Sequence, residues 1–277
     1  MGYFIHSYKE PLYLGYHYSG VVKTVGTDVT DLATGTGVFG FLQYEPSQTQ
    51  GALAEYITVK RKDCAVKPAS VSYELAAASG TESLTALQAL RDYGGLVGKG
   101  QFVLINGSAG GVGSAAIQIA KSLGAHVTAV CSTKDVDQVK KWGADNVIDR
   151  TKEPNFLETL LLKSTKFDVI LDAPNMLSSS ATGLLQPKGG SLVHTVPSLT
   201  MMIGKLRTLL SSKKSVTCVK CHANEADLKV VGQWLEKGDL KIPIGSIHKI
   251  REIQSAMMKQ VMVGKNGRVV IQVENGW

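Results

Sequence analysis

The sequence predicts an α/β protein in which a doubly wound parallel sheet follows a smaller all-β module. The chain has 277 residues, of which 44% are hydrophobic and 19% charged, so it can bury the cores of two modest domains. Its first third contains short β patterns separated by turn residues, and the remainder alternates β and α patterns. An alternating order of this kind produces a parallel sheet with helices on both faces.

The all-β module is predicted at residues 1–76. Its strand candidates are YSGVVKTVG, TGVFGFL, GALAEYITVK and CAVKP, and each alternates or contains β-branched runs between Gly, Asp and Pro residues. From about Tyr73 the period changes. The segment SYELAAASGTESLTALQALRDYG has helical spacing, begins after a serine that can cap the helix, and ends at Gly94 and Gly95.

Strands and helices then alternate through a second domain, predicted at residues 77–240. The strands are QFVLING, HVTAVCS, NVID, FDVILDA and GSLVHTV, and the helices are GSAAIQIAKSLG, DVDQVKKWG, NFLETLLLK, a short helix before the last strand, and EADLKVVGQWLEKGDL. Residues 241–277 add one helix and one strand, which we expect to return to the β module.

The formal net charge of +7 predicts an anionic partner. The Lys and Arg residues are scattered, and the tightest cluster is Lys213 with Lys214, so a polyanionic cofactor explains the charge better than nucleic acid does. No apolar run reaches the ~18 residues that span a bilayer, and the N-terminus lacks a signal-peptide pattern. We expect a soluble cytoplasmic protein, or an organellar one if a targeting segment precedes Met1.

The four cysteines are too few for a disulfide scaffold. CVKC followed by His222 has the spacing of a metal motif, but SVTCVKCHA also alternates like a strand. Because no second ligand pair would complete a tetrahedral zinc site, we interpret the segment as the outer strand of the parallel sheet. This strand is apolar and free of proline, so its open edge predicts a homodimer.

The segment VLINGSAGGVGSAAIQ runs from a hydrophobic strand through a glycine loop into a helix. In that context a glycine pattern predicts a dinucleotide pyrophosphate at the positive helix end. Gly110 and Gly113 permit the tight turn and close packing, Gly111 permits close approach of the pyrophosphate, and Ser108 replaces the first glycine of the usual motif. The predicted contact residues are Ser108, Ala109, Gly110, Gly111, Val112 and Gly113.

The end of the next strand distinguishes NADPH from NADH. An NAD site places Asp or Glu there, whereas a 2′-phosphate needs hydrogen-bond donors and positive charge. The strand ends with Ser132, Thr133 and Lys134, and Arg150 follows the next strand. This pattern predicts NADPH, and the alternative is that Lys134 and Arg150 are solvated surface groups.

The segments GYHYSGVVKTVG, GALAEYITV, LTALQAL, NGSAGGVGSAAIQIAK and GADNVID together resemble the medium-chain dehydrogenase/reductase superfamily. More narrowly, they resemble its zinc-free, zeta-crystallin-like branch of quinone oxidoreductases and enone reductases, and the likeness covers nearly the whole chain. The resemblance implies a GroES-like β domain, here shortened at its N-terminus, then a Rossmann NADPH-binding domain, with the active site in the cleft between them.

The resemblance also implies several site residues. Thr85 would lie near the nicotinamide or its phosphates, Asn175 would face the cofactor from the turn after LDA, and Thr195 with Val196 would meet the carboxamide. For Thr85 the alternative is that its hydroxyl satisfies a helix carbonyl.

Zinc-dependent members carry a Gly-His-Glu motif and a cysteine where this chain has Tyr16 with His17, and Thr81. The lobe with four cysteines is also missing between Phe41 and Gly51. The resemblance therefore implies chemistry without a metal.

Hydride transfer from NADPH to a small quinone, or to the activated C=C bond of an enone or enal, is the implied reaction. The product needs a proton, and the candidate donors are Tyr3, where relatives have a cleft-lining tyrosine, then Tyr18 and His17. Packing is the alternative for each tyrosine.

A second function class stays open. Family members begin with additional strands before MGYFIHSYKEPLYLGYHYSG, which normally wall one side of the substrate cleft, so the chain is a shortened or variant form, or something else covers the exposed sheet edge. The alternative is an NADPH-binding redox sensor or interaction protein with weak catalysis or none.

Overall fold

A computed structural model describes residues 13–43, 49–208, 213–261 and 267–273. The chain divides into two compact units. The first comprises Met1–Gly80, Ala223–Glu236 and Ile242–Trp277, and the second comprises Thr81–His222 and Lys237–Lys241. The predicted Rossmann range, 77–240, therefore includes residues 223–236, which pack with the β module.

The first unit is built on a small antiparallel sheet, ordered β1 (His17–Val21), β2 (Gly37–Phe41) and β3 (Cys64–Val66). The parallel pair β10 (Ile244–Lys249) and β11 (Arg268–Gln272) belongs to the same unit, as does α7 (Ile253–Val261). The tail strand β11 pairs with β10, a strand that was not predicted.

Helix α6 (Glu225–Lys237) packs on this sheet through Gly232. A Cβ there would lie 3.4 Å from Phe39 Cζ, so glycine permits the close approach. At the start of α6, Arg61 Nη2 donates to Glu225 Oε1 at 2.8 Å and to Asp31 Oδ2 at 2.6 Å. These ion pairs join the helix to the β module.

The strand predicted at GALAEYITVK is wrong. Residues 51–60 contain no strand. Ala52 N and Leu53 N donate to Gly15 O and Leu14 O at 2.8 and 3.1 Å, and Thr58 N donates to Gln50 Oε1 at 2.9 Å, but these bonds do not form a strand ladder. A strand needs a neighbouring strand to satisfy its backbone, and among the described residues none pairs with this segment.

The second unit contains the predicted parallel sheet, which is confirmed. Its six strands lie in the order β6 (Asn146–Asp149), β5 (His126–Cys131), β4 (Phe102–Asn106), β7 (Val169–Asp172), β8 (Ser191–His194) and β9 (Ser215–Cys218), all parallel. After β4 the chain adds β5 and β6 on one side of that strand, then crosses over to add β7, β8 and β9 on the other side. The carboxyl ends of β4 and β7 are therefore a topological switch point, where open α/β sheets bind ligands.

The remaining helices are α1 (Tyr73–Gln88), α2 (Gly111–Ser122), α3 (Val136–Lys141), α4 (Phe156–Leu162) and α5 (Leu199–Thr208). The predicted serine cap of α1 is confirmed, since Ser72 Oγ accepts from Leu75 N at 3.1 Å. Helix α5 was not predicted. No described helix is both long enough and apolar enough to cross a bilayer.

A π-helical turn, Ala89–Tyr93, continues α1 to Gly94. On one side of it, Gln88 bonds through both amide atoms to the backbone of His222, at 2.9 and 3.1 Å. On the other, the Tyr93 hydroxyl accepts from Lys220 N at 3.2 Å. Both contacts hold the segment that follows β9.

Candidate functional site

The glycine loop between β4 and α2 can be built only with glycine at two positions. Gly107 has a φ of +74°, and a Cβ there would lie 2.6 Å from Pro174 Cδ. A Cβ on Gly113 would lie 2.3 Å from Gly107 O. Both distances are shorter than any normal van der Waals contact, so the first turn of α2 rests directly on the backbone of the loop.

Helix α2 begins at Gly111 after the extended residue Gly110, and no described side chain caps it. The N–H groups of a first helical turn have no intrahelical acceptor. The positive end of the helix therefore presents its backbone donors uncapped, beside a loop with no side chain at Gly110, Gly111 or Gly113. This arrangement fits the pyrophosphate of a dinucleotide.

Ser108 shapes this loop from the inside. It is buried, its Oγ donates to Val130 O at 2.9 Å, and its N–H donates to the same carbonyl at 3.1 Å. The residue thereby fastens the loop to β5. Its hydroxyl is occupied by that bond, so any contact with a phosphate would come from neighbouring backbone groups.

A second group of predicted residues meets at the end of β5. Arg150 N donates to Cys131 O at 2.9 Å, which brings Arg150 beside Ser132, Thr133 and Lys134. Lys134 and Arg150 are exposed. Two carboxylates share this corner: Ser132 Oγ donates to Asp135 Oδ2 at 2.5 Å, and Asp149 accepts from the Thr133 side chain. The corner thus offers two exposed cations next to two hydrogen-bonded carboxylates.

Cys131 lies buried under the same corner. Burial raises the pKa of its thiol to about 11, and the carboxylates of Asp135 and Asp149 add to the effect. The thiol is therefore protonated at neutral pH and contributes packing.

Asp172, at the end of β7, is a buried centre of hydrogen bonds that the sequence did not single out. Its Oδ1 accepts from Asn106 Nδ2 at 2.8 Å across the switch point, and its Oδ2 accepts from Leu177 N at 2.8 Å. Burial would raise the pKa of Asp172, but these bonds and those from His194 and Met176 N outweigh it and lower the pKa. The carboxylate is therefore ionised at neutral pH.

His194, at the end of β8, stands next to Asp172 in the sheet register. Its Nδ1 lies 3.0 Å from Asn175 Oδ1 and 3.5 Å from Asp172 Oδ2. The imidazole is 1% exposed, and its Nε2 has no hydrogen-bond partner among the described residues. Sequence reasoning could have found this pair only with the strand order in hand.

Three of the predicted site residues come together above these strands. Asn175 Nδ2 donates to Val196 O at 2.6 Å, and Thr195 Oγ1 donates to Ala173 O at 2.8 Å. The turn after β7 and the loop after β8 are thus bonded to each other twice. Thr85 belongs to the same unit and lies buried on α1.

Two of the three proton-donor candidates, His17 and Tyr18, lie in the first unit. Tyr3 lies outside the described residues. His17 begins β1, and its ring packs 3.3 Å from where a Cβ on Gly80 would stand. Tyr18 is buried with its hydroxyl 3.4 Å from Asp63 O, and burial raises the pKa of its phenol far above the ordinary value. This environment favours a packing role for Tyr18.

The predicted outer strand is present as β9, but it ends at Cys218, so the strand interpretation is wrong for the rest of CVKC, residues 219–221. Cys221 lies beyond the strand, with its Sγ 3.8 Å from Thr81 O. Across the ranges that the structure describes, no cluster of three or more His, Cys, Asp and Glu residues has a metal-binding arrangement.

Several known proteins are similar in sequence to this chain. A family profile described as zinc-binding dehydrogenase matches residues 111–237. The chain is 41% identical over 179 residues to the mitochondrial NAD(P)H oxidoreductase RTN4IP1 of Bos taurus. This alignment covers 64% of this chain and 43% of that protein. It is 30% identical over 285 residues to the trans-enoyl reductase pgmF of Aspergillus terreus, which covers 95% of this chain and 78% of the relative. The chain belongs to the medium-chain dehydrogenase/reductase superfamily.

A solved structure of the superfamily shares the fold. The quinone oxidoreductase from Coxiella burnetii superposes with a TM-score of 0.77 at 28% identity, over 94% of this chain and 79% of that chain. The family resemblance and the fold class predicted from the sequence are therefore confirmed. The chain spans less than half the length of the bovine superfamily member.

Proposed function

We propose that the protein is an NADPH-dependent oxidoreductase that reduces a quinone, or the activated C=C bond of an α,β-unsaturated carbonyl compound, without zinc. The observation that carries the proposal is the uncapped start of α2 resting on the Gly107 loop, at the carboxyl edge of a parallel sheet. The superfamily relatives named as NAD(P)H oxidoreductase, trans-enoyl reductase and quinone oxidoreductase support the reaction class.

Different residues of the second unit would bind the pyrophosphate and the 2′-phosphate of the cofactor. The N–H groups of residues 111–113 would hold the pyrophosphate, and Gly113 lets the first turn of α2 pack directly against the loop backbone. Lys134 and Arg150 would hold the 2′-phosphate, with hydroxyls from Ser132 and Thr133 beside them.

At the other end of the cofactor, Asn175, Thr195 and Val196 would hold the nicotinamide side, with Thr85 near the nicotinamide or its phosphates. The bonded pair of loops gives this end a fixed backbone surface. A bound cofactor supplies the hydride, and the chain must orient the acceptor and provide a proton.

His17 and Tyr3 are the proton donors that we propose, because the buried phenol of Tyr18 is a weak acid. An imidazole near neutral pH exchanges protons readily, so His17 suits this role. Substitution of His17 by Ala should lower kcat for quinone and enal reduction while leaving NADPH affinity within about twofold. An unchanged kcat would remove His17 as a donor.

Turnover tests the whole proposal. Purified protein should oxidise NADPH in the presence of a small quinone or an α,β-unsaturated aldehyde. The variant Gly111→Asp places bulk and negative charge at the pyrophosphate position and should abolish both binding and turnover. Protein that binds NADPH tightly yet reduces nothing in a broad panel of quinones and enones would instead be a sensor or an interaction protein.

We propose further that the enzyme works without bound zinc, since Tyr16 and Thr81 stand where relatives have ligands. Elemental analysis of protein purified without a metal-affinity tag should find substoichiometric zinc. Stoichiometric zinc held by Cys218, Cys221 and His222 would overturn this point.

The second unit carries a surface that suits a homodimer. Among the described residues, strand β9 is the last strand on its side of the sheet, and no further strand pairs with its outer backbone edge. Helix α5 packs beside it, with Gly204 next to Val216, and turns four apolar side chains outward: Leu199, Met202, Ile203 and Leu206. We propose that a second copy covers this surface. We also propose a cytoplasmic or organellar location; the bovine relative is named as mitochondrial.

A further inference from the structure

The turn after β7 and the loop after β8 are joined by side chains as well as by their place in the sheet. Asn175 carries one of these links, because its amide donates to Val196 O. Its backbone has a φ of +60°, in the left-handed region that non-glycine residues rarely occupy. The amide and the turn conformation therefore depend on each other.

His194 and Asp172 hold the other side of the Asn175 amide. With Nδ1 protonated, the His194 ring donates to Asn175 Oδ1 at 3.0 Å, which leaves the amide nitrogen directed to Val196 O. The Asp172 carboxylate, 3.5 Å from the same Nδ1 and fixed by Asn106 and two backbone N–H groups, favours that tautomer.

Packing alone does not account for a histidine at this position. A buried polar atom without a partner destabilises a fold, and His194 Nε2 is such an atom among the described residues. An apolar side chain would fill the space without that cost. We therefore assign the role of the histidine to its Nδ1, the nitrogen that bonds to Asn175 and orients it.

We propose that Asp172, His194 and Asn175 form a positioning cluster for the nicotinamide end of the cofactor. Asp172 orients His194, His194 orients Asn175, and Asn175 fixes the distance between the two loops. None of the three needs to touch the substrate. This inference rests on the proposed function and adds Asp172 and His194 to the residues that determine it.

The variant Asn175→Gly isolates the amide, because glycine accepts the left-handed φ without strain. In the cofactor-free protein, hydrogen exchange at residues 173–177 and 195–198 should become faster together. NADPH affinity should fall about tenfold, the scale of one lost hydrogen bond. Affinity for adenosine 2′,5′-bisphosphate, which lacks the nicotinamide, should stay within twofold. Asn155→Gly, an exposed position before α4, is the matched control.

Two substitutions of His194 test the nitrogen that carries the role. His194→Asn keeps a donor near the place of Nδ1 and should retain most of the NADPH affinity. His194→Leu removes the donor and should reproduce the loss seen with Asn175→Gly. His126→Asn, at the amino end of β5, controls for the loss of an imidazole.

The outcomes separate the cluster from the function on which it rests. Equal NADPH affinity in wild type and Asn175→Gly, or unchanged hydrogen exchange in either loop, would overturn the positioning role alone. Equal losses of affinity for NADPH and for the bisphosphate would mean that the cluster stabilises the fold and does not position the nicotinamide end. Wild-type protein that binds neither ligand would overturn the proposed function, and the positioning role with it.

Discussion

At the scale of single residues, the proposed preference for NADPH over NADH depends on two exposed cations beside the end of β5, Lys134 and Arg150. Each charge-assisted hydrogen bond that Lys134 or Arg150 would make to a 2′-phosphate would be worth roughly 1.5–3 kcal/mol. Lys134→Ala and Arg150→Ala should each weaken NADPH binding roughly 10- to 100-fold and leave NADH within about twofold. Titration calorimetry with both cofactors measures the difference, and Lys140→Ala on α3 is the control.

The two carboxylates in the same corner oppose the effect of the cations on the binding of a 2′-phosphate. Asp135 and Asp149 accept bonds from Ser132 and Thr133, so they place negative charge near the proposed phosphate site. If wild type binds NADH as tightly as NADPH, these carboxylates outweigh the cations and the NADPH assignment fails.

Asp172 should contribute to stability as well as to the site. Its pKa is lowered in the folded protein, so its ionised form stabilises the fold above the ordinary value of 3.8. That contribution disappears as the pH falls through the lower, folded pKa. Asp172→Asn should therefore lower the free energy of unfolding at pH 7 by about 1–3 kcal/mol, the cost of disturbing a buried, charged hydrogen-bonding group.

Urea unfolding measures this difference, which should shrink as the pH is lowered below the ordinary carboxyl pKa. Asp137→Asn, at an exposed position on α3, should change stability by less than about 0.5 kcal/mol. A difference that does not depend on pH would mean that packing of the new amide, and not charge, is responsible.

At the scale of elements, the contact between α2 and its loop permits a direct test. Gly113→Ala places a methyl group 2.3 Å from Gly107 O, so the helix must move away from the loop. We expect a loss of about 1–3 kcal/mol in stability from overpacking and weaker dinucleotide binding, measured by thermal unfolding with and without NADPH. Gly26→Ala, where a Cβ meets no atom within 4 Å, should leave both unchanged.

The elements also show what the sequence could predict. The strands and helices from β4 to β8 were predictable because hydrophobic runs and glycine turns agree there. GALAEYITVK has the composition of a strand, yet pairing decides whether a strand forms, and composition carries no information on pairing. Helix α5 was missed because Gly204 interrupts its pattern, and that glycine is explained only by its contact with Val216.

The sequence predicted one part of the candidate site and missed another. The glycine loop follows from residues adjacent in sequence. Asp172 and His194 are 22 positions apart, and they become neighbours only because β7 and β8 pair in this register. A buried contact of that kind between two strand ends has no local sequence pattern.

At the scale of the whole molecule, the open edge of β9 and the apolar face of α5 predict self-association. Leu199 is 71% exposed and Leu206 is 67% exposed, which is unusual for leucines on the same helix face. Light scattering at micromolar concentration should report a dimer. Thr217→Lys, which adds a charge to the edge strand, should shift the protein toward monomer without loss of helical circular dichroism. Wild type that remains monomeric would contradict the prediction.

The π-helical turn at Ala89–Tyr93 sets the spacing of two contacts with one segment. Side chains five positions apart lie about 140° apart around an α-helix, at about 100° per residue, whereas the wider turn brings them over one another. Gln88 and Tyr93 are five positions apart, and both hold the segment after β9. The wider turn therefore lets both side chains reach the same segment. Deleting the exposed residue Arg91 should restore an ordinary helix and free that segment at one end.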